Sequence, residues 1–391
     1  MRPIVLRGHT RPVTSLVFSK EGDLLFSGST DKSISAWYAD NGERLGTYIG
    51  HNGMVTSVDV SHDTTILASG AGDGEARLWD VRSGACTRVL KHSSKVTSVA
   101  FSLGSQYLLT ANDPWKGTRT SIQVYDVSAI MSGAAPEPIA QFVLPFECKV
   151  KRAAWGPLND SIYLACDDGF VRRFTNPIQV SASAAARSFG NGRLTIAQDG
   201  PDTEQMRPPA PRRMDEPDFK SPCTDMTFSY DRTRFIVTST DQTAKLYDAY
   251  AIPPTTTTTL LPLSFLTRAL CLCRHTFDVL TAIKSDRPLH SASISPDCGD
   301  KASHNEFVVC GGGVEASKAA TTGGQGKFEA VFYHQVYGCH VGGEQPNKGH
   351  FGPINALLFN PSGRSFASGG EDGNVRMNHF DESYFSFKLN E

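Results

Sequence analysis

Three histidines in this chain each precede an aspartate by 22 residues: His9 and Asp31, His51 and Asp73, His350 and Asp372. A hydroxyl side chain sits four residues before each aspartate, at Ser27, Ser69 and Ser368. Histidine, serine and a carboxylate are the parts of a hydrolytic relay, in which the imidazole takes the hydroxyl proton and the carboxylate orients the ring. The arrangement nevertheless argues against catalysis. One relay suffices for an active site, whereas this set is copied along the chain, and His92, Thr110 and Asp113 make a fourth copy with one residue less between histidine and aspartate. Trp37 and Trp79 follow two of the aspartates by six residues. Indole N–H, hydroxyl, imidazole and carboxylate can pass hydrogen bonds from one to the next, so each set reads as a buried polar chain tying strands together. Breaking one link should cost about 1–3 kcal/mol, a folding effect.

The elements that must hold these residues repeat with them. A Gly-His pair opens each clear repeat, and an alternating strand follows, such as Val13-Thr14-Ser15-Leu16-Val17-Phe18. A second strand leads to the aspartate turn, a third ends in the aromatic, and a fourth is more polar. Period-two alternation bounded by Gly, Asn and Asp predicts strands, and no long stretch has helical periodicity. A repeat of about 42 residues with this layout predicts an all-β fold, a seven-bladed WD40 β-propeller. The blades start near residues 8, 50, 91, 146, 219, 286 and 349. Pro3 to Arg7 precede the first Gly-His and are expected to close the ring as the outermost strand of blade 7; the alternating tail from Tyr384 to Leu389 competes for that place. Residues 1–391 form one domain in this reading, with loop insertions near 181–217, 253–274 and 311–326 and a shorter one over 297–305.

Bulk properties narrow the function. Thirty-eight basic against 40 acidic side chains leave a net charge of -2, so no overall field draws the chain onto nucleic acid or anionic lipid. Nine cysteines without a CxxC pair read as free thiols of a reducing cytoplasm, and no signal peptide is expected before the first repeat. The apolar run from Leu260 to Cys273 is interrupted by Pro262 and Arg268 and is too short for a bilayer. It should pack onto blades 5 and 6 or dock a partner. The stretch ending in Gly326-Lys327 is not a phosphate-binding loop, because Phe328 replaces the hydroxyl residue and Thr321 the first glycine. The basic clusters at 149–152, 172–173 and 212–213 are short and lack interleaved aromatics, so no sequence-specific nucleic-acid contact is expected. Neither a cofactor nor a metal site is read from the sequence.

Segments outside the repeat pattern go further. Asn41 to His51, Glu21 to Phe26, Ala154 to Leu158, Gly326 to Ala330 and Lys348 to Asn355, with Gly369 to Gly373, closely resemble segments of the subunit I family of eukaryotic translation initiation factor 3. The resemblance runs from end to end in the family's order. It departs at the insertions over 181–217 and 253–274, and in blade 5, where the run Val237 to Asp241 is one residue short. A WD adaptor of signalling or RNA-particle assembly, similar to the serine/threonine kinase receptor-associated proteins, would share the repeats but not Gly42 to His51 together with Gly326 to Ala330.

The resemblance implies a non-enzymatic scaffold within initiation factor 3. Its partners would be the B and G subunits of the factor, the former through a helical C-terminal segment, and through the complex the small ribosomal subunit. No membrane partner and no homo-oligomer are implied. In the family, acidic residues over blades 5 and 6 pair with basic residues of the helix from the B subunit, and Asp231 and Asp248 match those positions best.

Overall fold

The computed structural model describes residues 3–114, 119–133, 136–144, 148–176, 178, 217–250, 279–296, 307–314, 327–341, 349–381 and 384, with the backbone of 194–195. The expected insertions over 181–217, 253–274 and 311–326 fall almost wholly outside these residues, as does the apolar run from Leu260. The exceptions are the backbone of Leu194–Thr195, Pro217 and residues 311–314, of which Gly311 and Gly312 finish the strand Phe307–Gly312.

Seven sheets are arranged as propeller blades, antiparallel throughout except where Leu194–Thr195 adds a short parallel strand outside blade 3. Blade 1 sets the pattern with Val13–Phe18, Leu24–Ser29, Ser33–Tyr38 and Arg44–Ile49, ordered from the central channel outward. Within blade 7, Pro3–Leu6 is the outermost strand, with Pro3 opposite Asn378 and Leu6 opposite Val375. The N-terminal strand therefore closes the ring, as the sequence predicts; the competing tail, apart from Tyr384, lies outside the described residues. The reason is edge protection: a strand from the far end of the chain covers the edge of the last blade. Blade 3 carries a short helix, Val127–Met131, before its outer strand. Blade 4 has three antiparallel strands among the described residues, Val150–Trp155, Ser161–Cys166 and Val171–Thr175.

Neighbouring blades are joined by close packing and by hydroxyl groups of the innermost strands. Gly28, Gly70, Gly311 and Gly369 occupy the same place in the second strands of blades 1, 2, 6 and 7. A Cβ on Gly70 would stand 2.6 Å from Val96 Cγ1 of the next blade, and one on Gly369 would stand 2.5 Å from Val13 Cγ1. A larger side chain would push the blades apart. The triplet Val-Thr-Ser opens the innermost strands of blades 1 to 3. Thr14 Oγ1 donates to the carbonyl of Val55 at 2.7 Å, and Thr56 Oγ1 to that of Val96 at 2.6 Å. The serines then accept from the next blade: Val58 N–H to Ser15 Oγ at 3.3 Å, Val99 N–H to Ser57 at 3.3 Å, Ala153 N–H to Ser98 at 3.1 Å. Asn355 Nδ2 donates to Val13 O at 3.2 Å and carries the same stitch across the closure from blade 7 to blade 1.

Candidate interaction surfaces

The three complete His–Ser–Asp sets lie where strands meet at the upper rim, the end of each blade that carries the aspartate turn. In blade 1, His9 Nδ1 is 2.9 Å from Asp31 Oδ2 and His9 Nε2 is 2.8 Å from Ser27 Oγ, which accepts the Trp37 indole N–H at 2.9 Å. A carboxylate can only accept, so Nδ1 carries the proton, and bare Nε2 then accepts from the serine hydroxyl. Blade 2 repeats this with His51 to Asp73 at 3.0 Å, His51 to Ser69 at 2.7 Å and Trp79 to Ser69 at 2.8 Å. Blade 7 has His350 to Asp372 at 2.9 Å and to Ser368 at 2.9 Å, with Asn378 in place of the aromatic. Each aspartate also accepts a backbone N–H after its histidine: Thr10, Asn52 and Phe351. The serines are buried, so none of these hydroxyls can meet a substrate.

Electrostatics follow from this geometry. Burial works against ionisation of Asp31, but the Ser33 hydroxyl, His9 and the Thr10 N–H more than offset it and lower the carboxyl. Asp73 is lowered in the same way, burial being outweighed by His51 and the Asn52 N–H. Asp372 lies well below the usual carboxylate range: burial is outweighed by His350 and the N–H groups of Phe351 and Asn374. Burial pushes the His51 imidazole down, with Asp73 opposing.

The fourth expected set, in blade 3, is not assembled. Neither ring nitrogen of His92 has a hydrogen-bond partner, and neither does Thr110 Oγ1. Tyr125 stands edge-on to His92 at 6.2 Å, but its hydroxyl donates to Gln123 at 2.5 Å. Two causes are visible. The shorter spacing displaces Asp113 from the ring, and a phenol carries its polar atom at the ring tip whereas an indole carries it on the flank. Burial pushes His92 down to about 4, opposed only by the nearby Gln123 side chain, whose approach is too poor in geometry to count as a hydrogen bond. Asn112 holds this corner instead, donating to Ser94 at 2.9 Å and accepting from Ser121 at 2.5 Å.

The worn blades replace the histidine set with other polar groups. In blade 4 two neighbouring aspartates divide the work: Asp167 accepts the Lys149 N–H at 2.7 Å, and Asp168 pairs with Arg172 at 2.5 Å. Asp241 of blade 5 accepts the Lys220 N–H at 3.0 Å. In blade 6, Arg287 bridges Asp286 at 2.8 Å and Glu329 at 2.7 Å, and Lys327 reaches Asp286 at 2.5 Å. Asp286 is held down to about 2, chiefly by Arg287.

A polar cluster that the repeat pattern did not reveal crosses the channel. Arg152 Nε of blade 4 is 3.5 Å from Asp225 Oδ1 of blade 5, and its Nη1 donates to Ser57 of blade 2 at 3.1 Å. Asp225 also accepts from Ser291 of blade 6 at 2.7 Å. The signal was present: Val-Lys-Arg and Cys-Thr-Asp stand at 150–152 and 223–225, where other blades begin Val-Thr-Ser.

Asp231 and Asp248 lie on the lower face of blade 5. Asp231 Oδ1 accepts from Ser229 Oγ at 2.6 Å and Thr233 N–H at 3.1 Å, while Oδ2 accepts from Thr233 Oγ1 at 2.7 Å. Asp63 makes the same turn in blade 2 with Ser61 and Thr65. Burial of Asp231 is outweighed by these hydroxyl and amide donors, which lower its carboxyl. Asp248 accepts the Tyr250 N–H at 2.8 Å. In register, Asp248 faces Arg234, and the adjacent Tyr247 faces Val279 of the outer strand. Val279 and Leu280 are exposed there, as are Val336 and Tyr337 in the neighbouring turn of blade 6. Thr281 Oγ1 donates to Val336 O at 3.3 Å and joins the two pairs. An apolar strip thus lies at the junction of blades 5 and 6 with Asp248 next to it in the sheet, and Asp231 stands on the same lower edge two strands further in, beyond Arg234.

Comparison with known proteins fits this picture. The profile of the family described as WD domain, G-beta repeat matches residues 3–38, 42–80, 84–126, 217–248 and 344–377. The unmatched stretches hold blades 4 and 6, while blade 5 is matched although it too lacks the histidine. Eukaryotic translation initiation factor 3 subunit I of Sclerotinia sclerotiorum is 35% identical over 388 residues, covering 99% of this chain and 97% of the relative. The proteins of the same name from Neurospora crassa and Aspergillus terreus are 34% and 35% identical, each covering 99% of this chain and 94% and 97% of their own length. With similarity running through every blade, the worn ones included, the chain belongs to the subunit I family of eukaryotic translation initiation factor 3.

Proposed function

We infer that the chain is a non-catalytic scaffold of initiation factor 3, holding other subunits and supporting assembly of the small-ribosomal-subunit preinitiation complex. The observation that carries this reading is the apolar strip of Val279, Leu280, Val336 and Tyr337, on the lower edge of blades 5 and 6 that also holds Asp248 and, further in, Asp231. An amphipathic helix with a basic flank suits such a surface: apolar anchors supply affinity, and charge sets register and encounter rate. A helical segment of the factor's B subunit is that partner in this reading, and family membership supports the G subunit as a second. Buried hydroxyls in all three histidine sets support a role without catalysis. Free thiols at Cys86 and Cys339, both exposed, suit a reducing cytoplasm.

The test uses the full chain and the C-terminal segment of the B subunit. Leu280→Asp with Tyr337→Ala should weaken binding at least about tenfold. Asp231→Asn with Asp248→Asn, which keep an acceptor for the turn, should slow association and flatten its salt dependence. Binding unchanged in both double variants would overturn the site. Absence of the chain from small-subunit initiation fractions of a sucrose gradient would overturn the function.

A further inference from the structure

A cavity of about 320 Å³ opens at the lower mouth of the central channel, where the innermost strands turn into the second strands. It adjoins the lower edge of blade 5, with Tyr230 and Arg232 in its lining on either side of Asp231, but Val279, Leu280, Val336 and Tyr337 do not line it. Three cations line it, Lys20, Arg152 and Arg232, against one carboxylate, Asp59. Two of the four charged groups are already served. Arg152 is bound to Asp225 and Ser57, and Asp59 accepts the N–H groups of Phe101 at 2.6 Å and Val60 at 3.0 Å.

Arg232 is served least: Asp59 acts on it as an opposite charge, but from beyond ion-pair distance. Its Nη1 donates to the carbonyl of Trp155 at 2.9 Å, and its guanidinium lies 6.0 Å from the Phe228 ring. Among the described residues no carboxylate comes within ion-pair distance of it. A guanidinium carries five donors in a fixed fork, so most of this fork faces the cavity without a partner. Its backbone has φ 58°, the left-handed conformation that Gly22, Thr64, Ser105 and Gly363 share at the same turn position of blades 1, 2, 3 and 7, so glycine would fit this turn as well. At the rim, Lys20 of blade 1 places its ammonium 5.0 Å over the Tyr230 ring of blade 5, on the opposite side of the channel.

The geometry points to a binding site for a carboxylate-bearing peptide, an acidic loop tip or chain end that inserts into the channel from below and is gripped by Arg232. Charge selects an anion, and the fork of Arg232 matches the two oxygens of a carboxylate. The single-charged ligand is favoured over a dianion because Asp59 shares the cavity. The apolar wall, with Val17, Phe228 and Leu358, suits an apolar side chain beside the acid. A volume near the lower limit for ligand pockets admits one or two residues and excludes a helix.

Fluorescence anisotropy on the full chain tests this with a labelled hexapeptide of alternating Leu and Glu. The control is the same peptide with Gln for Glu and an amidated end. The acidic peptide should bind saturably and at least about tenfold more tightly than the neutral one. Arg232→Gly should weaken it by about tenfold and Lys20→Ala by about threefold, with the Arg232→Gly chain melting no lower than the parent. Equal binding of the two peptides, or undiminished binding to Arg232→Gly, would overturn the assignment. So would inorganic phosphate saturating the Arg232 site while the acidic peptide fails to bind.

Discussion

Arg152 of blade 4 and Asp225 of blade 5 are joined across the inner ring at 3.5 Å, and the same arginine reaches Ser57 on blade 2. The pair is partly exposed to the channel, so solvent screens it. Arg152→Met should cost about 1 kcal/mol in denaturant unfolding, and Arg152→Met with Asp225→Asn less than the two single changes added together. Strict additivity would mean that the contact contributes nothing to stability.

The histidines separate complete from incomplete polar chains. His51→Ala strips partners from Ser69 and Asp73 and should cost about 2–3 kcal/mol. His92→Leu removes two ring nitrogens that have no partner and should be neutral or stabilise by up to about 1 kcal/mol. Equal losses in chemical denaturation would contradict the difference between the two blades.

Acid unfolding should proceed in two stages. His51 and His92 are depressed in the fold, so the unfolded chain binds protons more readily between about 6.5 and the folded values. Their contribution is complete above about pH 6.5 and is lost as pH falls; for His92, with a folded value of about 4, the loss is on the order of 3 kcal/mol. Asp31, Asp73 and Asp372 are also depressed, and their contribution is complete above the ordinary carboxylate value and disappears below it. Asp59, raised by burial, acts in the opposite sense. Stability curves of His92→Leu should lack much of the first stage; an unchanged curve would show that this histidine does not drive it.

Gly70→Ala places a methyl carbon 2.6 Å from Val96 Cγ1. Expected destabilisation is about 1–3 kcal/mol, with partial rescue by Val96→Ala on the same chain. A null effect in thermal melting would mean that the blades are loosely packed at this seam.

Much of this architecture could be read from residue spacing. His9, His51 and His350 each locate an aspartate turn, a hydroxyl and two strands at once, so blades 1, 2 and 7 were legible together with the closing strand. Blade 3 shows the limit of spacing. His92, Thr110 and Asp113 keep the residue types, yet a one-residue change and a phenol in place of an indole leave them apart. Asn112 could not be foreseen, because the place it takes at the end of the second strand is held by Ser29, Ala71 or Ser239 in blades 1, 2 and 5. Arg152 and Asp225 were hidden for another reason: they act between blades, and internal repetition compares blades one at a time. The location of Asp231 was legible, while the Ser-x-Asp-x-Thr turn it shares with Asp63 became visible only with coordinates.

The pairing of Pro3–Leu6 with Val375–Asn378 has a kinetic consequence during synthesis. A nascent chain carries its first strand without a mate until the last blade has been made, roughly 20–75 seconds later at about 5–20 residues per second. Throughout that interval the first and last blades made each present a bare edge, open to stray pairing with another chain. A molecule whose family serves the start of translation is thus itself vulnerable until its own translation is nearly finished.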